Sequence, residues 1–424
     1  MPEMSTQLLE GVRILEVAMF APDGAGMHLA DLGAEIIKVE APGLGDPARL
    51  LGKPYRGEAP ATRRWNRGKR SLTLDLRAPE GAAVFRELVR CSDAVIEGMR
   101  PGSLARRGLD YETLRAEQPR LVFLSLSGWG ESGPYRDLAA HGLAFDAFAG
   151  LAPPREVAGR VSRPSGHVWQ GLEAAPLYAS LALVAAVLRA RESGRGCRIE
   201  VSQADAAATW NGWRIAHADA QARHGDEPSD ADARELMAAL EAAAEGAGKE
   251  GEADVTARDV RYQYYAAQDG YVLLMATETK FWENFCRGAA RMDLFERWPG
   301  RSPADHDYGN DALRDELAEL FARRTRGEWI DFFLRHDVPG APVYVAGETH
   351  RDPHFEARGL WVDPATHVAP ILGSPVRVEG VRCEARRAAP AAGEDSHDVL
   401  RDVLGYDHAR IEALRANGAL GETK

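Results

Sequence analysis

Cysteine is scarce in this chain, with four in 424 residues. Cys91, Cys197, Cys286 and Cys383 form no C-x-x-C pair and have no paired histidines at metal-ligand spacing. They are expected to be free buried thiols, with no disulfide framework and no metal site. No charged-then-apolar leader opens the sequence. The longest apolar run, around Leu177 to Leu188, reads as too short to span a bilayer, so no membrane partner is expected and the cytoplasm is the expected location. Basic residues are outnumbered, 52 Lys and Arg against 64 Asp and Glu. A net charge of -12 therefore argues against nucleic acid as a partner, because phosphate backbones need a basic footprint. Gly24 and Gly26 do not complete a G-x-G-x-x-G string, so nicotinamide dinucleotides gain little support.

What remains is a globular composition, 45% hydrophobic and 27% charged, in a chain too long for one ordinary core. Strand-like runs at residues 12–18, 35–40, 71–76, 93–97 and 121–126 alternate with helical patterns near residues 24–33, 79–89 and 111–118. Such alternation predicts an α/β fold with a doubly wound parallel sheet, whose ligands lie at the carboxyl ends of its strands. Those ends fall at Ala18-Met19, Glu97-Gly98-Met99 and Ser127-Gly128-Trp129-Gly130. The expected division is a large domain over residues 1–218 and an acidic Ala/Glu/Gly-rich insertion over 219–257. A smaller α+β domain would follow over 258–340, and a segment over 341–424 would return to the large domain.

One stretch looks central. From Leu172 to Glu192 the chain reads as a helix that is apolar on nearly all sides, hence buried, ended by Gly194 and Gly196. Pro176 is best tolerated in a first turn, which places the start near Leu172 or Glu173. Glu173 would then lie at a helix N-terminus, where free N–H groups and the macrodipole favour a carboxylate. Two basic clusters, Arg63 to Arg70 and Arg100 to Arg107, offer local positive sites for a small phosphorylated ligand, or else are solvated faces. His167 reads as a loop residue.

Several strings together resemble the class III CoA transferases, the family of formyl-CoA transferase and carnitine CoA-transferase, to which alpha-methylacyl-CoA racemase is related. They are Leu29-Ala30-Asp31-Leu32-Gly33-Ala34-Glu35-Ile36-Ile37-Lys38-Val39-Glu40, Gly45-Asp46-Pro47, Asn66-Arg67-Gly68-Lys69-Arg70, Arg100-Pro101-Gly102, Ser127-Gly128-Trp129-Gly130, Gly194-Arg195-Gly196 and Asp352-Pro353-His354-Phe355. The resemblance implies a Rossmann-like large domain that binds coenzyme A and an interlocked homodimer. It also implies that acyl-CoA and carboxylic acids are substrates, with no permanently bound cofactor. CoA would pass to an acceptor carboxylate through an acyl anhydride and a CoA thioester on a catalytic carboxylate. Counting back from Gly194, the family's nucleophilic Asp falls on Glu173, a departure that moves the oxygens by roughly one bond length.

Carried over residue by residue, Val17, Ala18 and Met19 would line the CoA site, and Lys38 would approach the phosphates. Leu72 and Leu74 would meet the adenine side. Gly98 stands where the family has Asn, followed by Met99, while Arg100 and Arg106 would hold phosphate oxygens. Gly128 and Gly130 would bring backbone N–H groups to the thioester as oxyanion donors. His141 sits where the racemase branch has its proton-transferring histidine. The resemblance thus leaves three readings: a transferase working through Glu173, a racemase pairing His141 with Glu173, or a CoA-binding homologue without chemistry.

Overall fold

The computed structural model describes residues 7–55, 57–224, 258–362 and 371–421. The helical piece expected near residues 233–244 lies outside the described residues, as does most of the acidic stretch. The chain divides into two units, residues 1–153, 164–222 and 357–424 in the larger and residues 154–163 and 223–356 in the smaller. The division differs from the expected one at its edges: the hairpin 155–162 clusters with the smaller unit, which also runs on past residue 340.

The larger unit is built on β1 (Arg13–Ala18), β2 (Glu35–Glu40), β3 (Arg70–Thr73), β4 (Ala94–Gly98) and β5 (Val122–Ser127), completed by Arg198–Ser202. Every pairing is parallel, and the spatial order places β3, β2, β1, β4, β5 and then Arg198–Ser202. Neighbouring side chains on a strand point to opposite faces, and each face has its own core. Ile14, Ile36, Ile96 and Leu124 pack with Leu29 and Ala30 of α1 (Gly24–Asp31) and with Ala175, Ala179 and Leu183 of the long helix Gln170–Ser193. Leu15, Ile37, Val95 and Phe123 face the other way. They meet Phe85 and Leu88 of α3 (Pro79–Arg90), and Val399 and Ile411 of the two C-terminal helices Ser396–Leu404 and His408–Ala416. Strand order reverses between β1 and β4, whose carboxyl ends splay connections to opposite faces and open a crevice.

The long helix, α6 with α2 (Pro60–Asn66), α4 (Tyr111–Glu117) and α5 (Leu143–Phe148) before it, departs from expectation in three ways. It begins at Gln170, so Pro176 lies past the first turn, wedged so closely against α1 that a Cβ on Gly24 would come within 3.1 Å of its ring. Only one face is buried; Leu177, Tyr178, Leu181 and Leu188 are exposed. At 24 residues it is also long and apolar enough, by length and composition alone, to cross a membrane, which corrects the reading of its apolar run as too short. The cysteines divide as well: Cys286 and Cys383 are buried, but Cys91 is exposed and Cys197 is intermediate.

The smaller unit holds a three-stranded antiparallel sheet, in which Tyr262–Ala267 and Gly270–Met275 form a hairpin and Gly340–Val343 adds the third strand. Trp282, Phe285, Phe321 and Trp329 stack in its core.

Candidate active site

Ala18 and Gly98 end β1 and β4 side by side. Their approach is so close that a Cβ on Gly98 would stand 2.6 Å from the Ala18 Cβ and 2.8 Å from the Pro22 Cβ. A side chain there, such as the family's Asn, requires the strand ends to part. Beside these ends lies a hollow of about 450 Å³ lined by apolar residues that include Val17, Ala18, Met19, Leu74, Leu76, Met99 and Leu104, and by the charged Glu40, Asp46, Asp75, Arg77 and Arg107. A second hollow of about 470 Å³ shares Leu76, Arg77 and Arg107 and adds Arg106 and Pro79. Apolar walls suit a long thioester, and Arg106 and Arg107 offer guanidinium groups to phosphates, whereas Arg77 is paired with Asp75 at 2.9 and 3.0 Å. Phe20, just beyond β1, holds φ 61° and ψ -139°, a conformation costly for a residue with a side chain, and its N–H donates to Asp46 Oδ1 at 3.3 Å.

The structure brings Val17, Ala18, Met19, Leu74, Met99 and Arg106 to these hollows; other expected contacts lie elsewhere. Lys38 is a correction. Its ammonium is sealed inside the protein, 2.6 Å from Asp23, 3.0 Å from Asp46 and 3.1 Å from the Ala18 carbonyl oxygen, and cannot reach a phosphate outside. Burial alone would lower the Lys38 pKa, but Asp23 and Asp46 outweigh it and hold it above its ordinary value. Burial raises the Asp23 carboxyl well above the usual range, against the pull of Lys38 and Lys69. Leu72 is wholly buried in the core and lines neither hollow. Arg100 is exposed but borders neither of them.

The oxyanion reading of Gly130 is likewise corrected, because its N–H is already donated to Ser127 Oγ at 3.0 Å. Gly128 packs against the Phe145 ring, and its carbonyl oxygen accepts from Ala204 N at 3.0 Å.

The first basic cluster resolves into separate pairs. Arg67 grips Asp31 with two hydrogen bonds of 3.0 and 2.6 Å, Lys69 meets Glu16 with both groups fully buried, and Arg70 reaches Glu35 at 2.9 Å. These three are internal fastenings, while the Arg63 guanidinium lies over the Tyr55 ring, 5.9 Å from its centroid. Arg64 alone in this set turns to the helix start. Its Nη2 lies 2.6 Å from Glu173 Oε2 and its Nε 3.3 Å from Oε1, with the two side chains 42% and 40% exposed.

Glu173 thus sits in the first turn of α6, open to solvent and clasped by one guanidinium. His28 of α1 shares this neighbourhood; burial first, then Arg67 and Arg64, lower its pKa to about 4 against the opposing pull of Glu173. It is neutral at pH 7. Glu173 lines neither hollow; α1, which follows the end of β1 after a short turn, abuts the same long helix at Pro176.

A second carboxylate organises the same helix. Asp146, wholly buried in the first turn of α5, accepts from Gln170 N at 3.0 Å and Gly171 N at 2.8 Å, and pairs with His167 Nε2 at 2.8 Å. It caps α6 from another element, a position the dipole rewards. Glycine at 171 permits this, since a Cβ there would stand 2.9 Å from Asp146 Oδ1. His167 lies in the loop before α6, as its sequence reading has it, and is anchored there by Asp146. His141 is exposed before α5, and no hydrogen bond joins it to Glu173. Sequence reasoning had flagged the basic cluster containing Arg64 but had no means to match it to Glu173, and it missed His28 and Asp146 entirely.

The profile of CoA-transferase family III matches residues 9–396. The chain belongs to this family. Among curated relatives it is 27% identical to human succinyl-CoA:glutarate CoA-transferase, covering 98% of this chain and 90% of that one. It is also 27% identical to the formyl-CoA:oxalate CoA-transferase of Rhodopseudomonas palustris, covering 98% of both. Among solved structures, a CaiB/BaiF family protein from Brucella suis superposes with a TM-score of 0.74 at 25% identity, over 94% of this chain and all of that one. The protein is an enzyme of the CoA-transferase class.

Proposed function

We propose that this family member moves CoA from an acyl-CoA to a carboxylic acid by covalent catalysis on Glu173. The observation that carries the reading is the Glu173 carboxylate itself, unburied at the first turn of α6 and aligned by Arg64. A nucleophilic carboxylate must be reachable, and the Glu173 side chain is 40% exposed.

Glu173 would attack the acyl carbon of the thioester, forming an acyl-glutamyl anhydride and releasing CoA thiolate. The thiolate would attack the glutamyl carbonyl carbon, releasing the first acid and leaving CoA on Glu173. The acceptor acid would then reverse the two steps. Val17, Ala18, Met19, Leu74 and Met99 would enclose apolar parts of CoA, while Arg106 and Arg107 would neutralise its phosphates. The extra methylene of Glu173, relative to the family's Asp, is matched here by the bidentate grip of Arg64, which fixes the longer side chain.

A cytoplasmic homodimer is part of the same proposal. The outer face of α6, with Leu177, Leu181 and Leu188 exposed, presents apolar surface of the kind that a partner subunit covers. The relatives are named for succinyl-CoA with glutarate and formyl-CoA with oxalate, so these pairs are the first to assay. Borohydride or hydroxylamine trapping during turnover, followed by peptide mass analysis, should place the adduct on Glu173. Turnover with an unmodified Glu173 defeats the reading.

A further inference from the structure

We infer that Arg64 changes partners during the reaction and that, once Glu173 carries CoA, its guanidinium seizes the reacting carboxylate of the acceptor acid. This rests on Glu173 being the nucleophile. In the structure Arg64 is paired with one carboxylate, Glu173, through both Nε and Nη2. Acylation or thioester formation converts that carboxylate into a neutral carbonyl, and the guanidinium loses its counter-charge.

Among the described residues of this cluster, the other carboxylates are already engaged. Asp31 is held by two hydrogen bonds from Arg67, Glu16 is held by Lys69, and His28 is neutral with its pKa at about 4. The thioester state is therefore an anion receptor directly beside the electrophilic carbon, whereas the resting state is not. The required ligand is fixed by the chemistry: a carboxylate whose oxygen must approach the Glu173 Cδ, within the reach of a guanidinium that had spanned both oxygens of that same group.

The step balances. One acceptor oxygen bonds to the Glu173 Cδ, the C–S bond breaks, and CoA departs as thiolate. The thiolate then bonds to the acceptor's acyl carbon, the bond from that carbon to the Glu173 oxygen breaks, and the regenerated carboxylate reclaims Arg64. The exchange also provides order, since an acid finds Arg64 occupied until CoA has been deposited. Because the donor's own acid leaves by the reverse of the acceptor's entry, product inhibition by that acid should depend on Arg64 in parallel.

The experiment compares wild type, R64M and R64K as full-length proteins, with succinyl-CoA and glutarate or formyl-CoA and oxalate, whichever pair the wild type turns over. In R64M the KM for the acid should rise on the order of tenfold or more while the KM for the acyl-CoA moves less than about threefold, the loss expected when a charge-assisted contact to one substrate is removed. The inhibition constant of the product acid should rise with it, and R64K should recover part of both. Borohydride trapping should still mark Glu173 in R64M, which shows that the variant is folded and that the covalent reading stands. An acid KM within about twofold of wild type in R64M, or an equal rise in both constants, overturns the role of Arg64. Absence of the Glu173 adduct in the wild type instead overturns the covalent reading on which it rests.

Discussion

Two kinds of cation–carboxylate pair lie within the larger unit, and burial separates them. Lys38 with Asp23 and Asp46, Lys69 with Glu16, and Arg67 with Asp31 are closed off beneath the sheet ends. Arg64 with Glu173 uses the same chemistry with both groups about two-fifths exposed. A sealed pair cannot exchange partners, because each group that loses its counter-charge is left in a poor dielectric without water. A half-exposed pair can, since solvent and incoming substrate compensate it. The strings that mark the family, with Asp31, Lys38, Glu40, Asp46, Arg67 and Lys69, mostly build the sealed set. They hold the strand ends and the start of α1 in place, while the proposed nucleophile stands on a different helix.

Breaking the open pair at its carboxylate should have the largest effect. E173Q is expected to lower kcat by about a thousandfold or more, some 4 kcal/mol in the barrier, with the urea unfolding midpoint little changed. Loss of folding together with activity would place Glu173 with the sealed pairs. K69M attacks the sealed set; removing one partner of a wholly buried pair is expected to cost about 3–5 kcal/mol of stability, read from urea denaturation. The double variant E16L/K69M should regain much of that cost, since no buried charge is then left alone. If K69M unfolds at the wild-type urea midpoint, the contrast between the two sets is lost.

D146A tests the cap that positions Glu173. Leaving the Gln170 and Gly171 N–H groups and His167 without their acceptor should cost about 2–3 kcal/mol, and activity should fall even under conditions where the variant stays folded.

The smallest effect belongs to His28. Its folded pKa of about 4 lies below its ordinary 6.5, so between those values the unfolded chain takes up a proton that the folded one refuses. Its contribution is therefore complete above pH 6.5 and is lost as pH falls toward 4, amounting to roughly 1–2 kcal/mol at pH 5. H28Q should flatten the difference in unfolding midpoint between pH 7 and pH 5. An unchanged acid limb would show that His28 is freely solvated.

Much of the fold was legible in the sequence because its signals are local. β2 occupies residues 35–40 as its alternation predicts, and α3 starts at Pro79, where the chain offers a proline suited to a first turn. α6 was harder, for a physical reason. Leu177, Leu181 and Leu188 satisfy a buried-helix pattern, yet they are left exposed in the chain described here, and Pro176 is accommodated by Gly24, some 150 positions earlier in the sequence. At the hollows, Ala18, Met19 and Met99 could be placed by following strands to their ends, while Val17, Leu74 and Arg106 were named from the family resemblance. The fate of charged side chains could not, because Lys38 and Arg64 look alike in composition and differ only in what folds over them.

The amino-acid order by itself determined the alternation of strand and helix, the family, and the position of one carboxylate at a helix start, all of which depend on spacing within a few turns of chain. Tertiary structure alone decided that Arg64 meets Glu173, that Lys38 turns inward, and that Asp146 caps α6 beside His167. Partner choice among charges depends on distance and burial, and neither is set until segments far apart in the sequence have packed together.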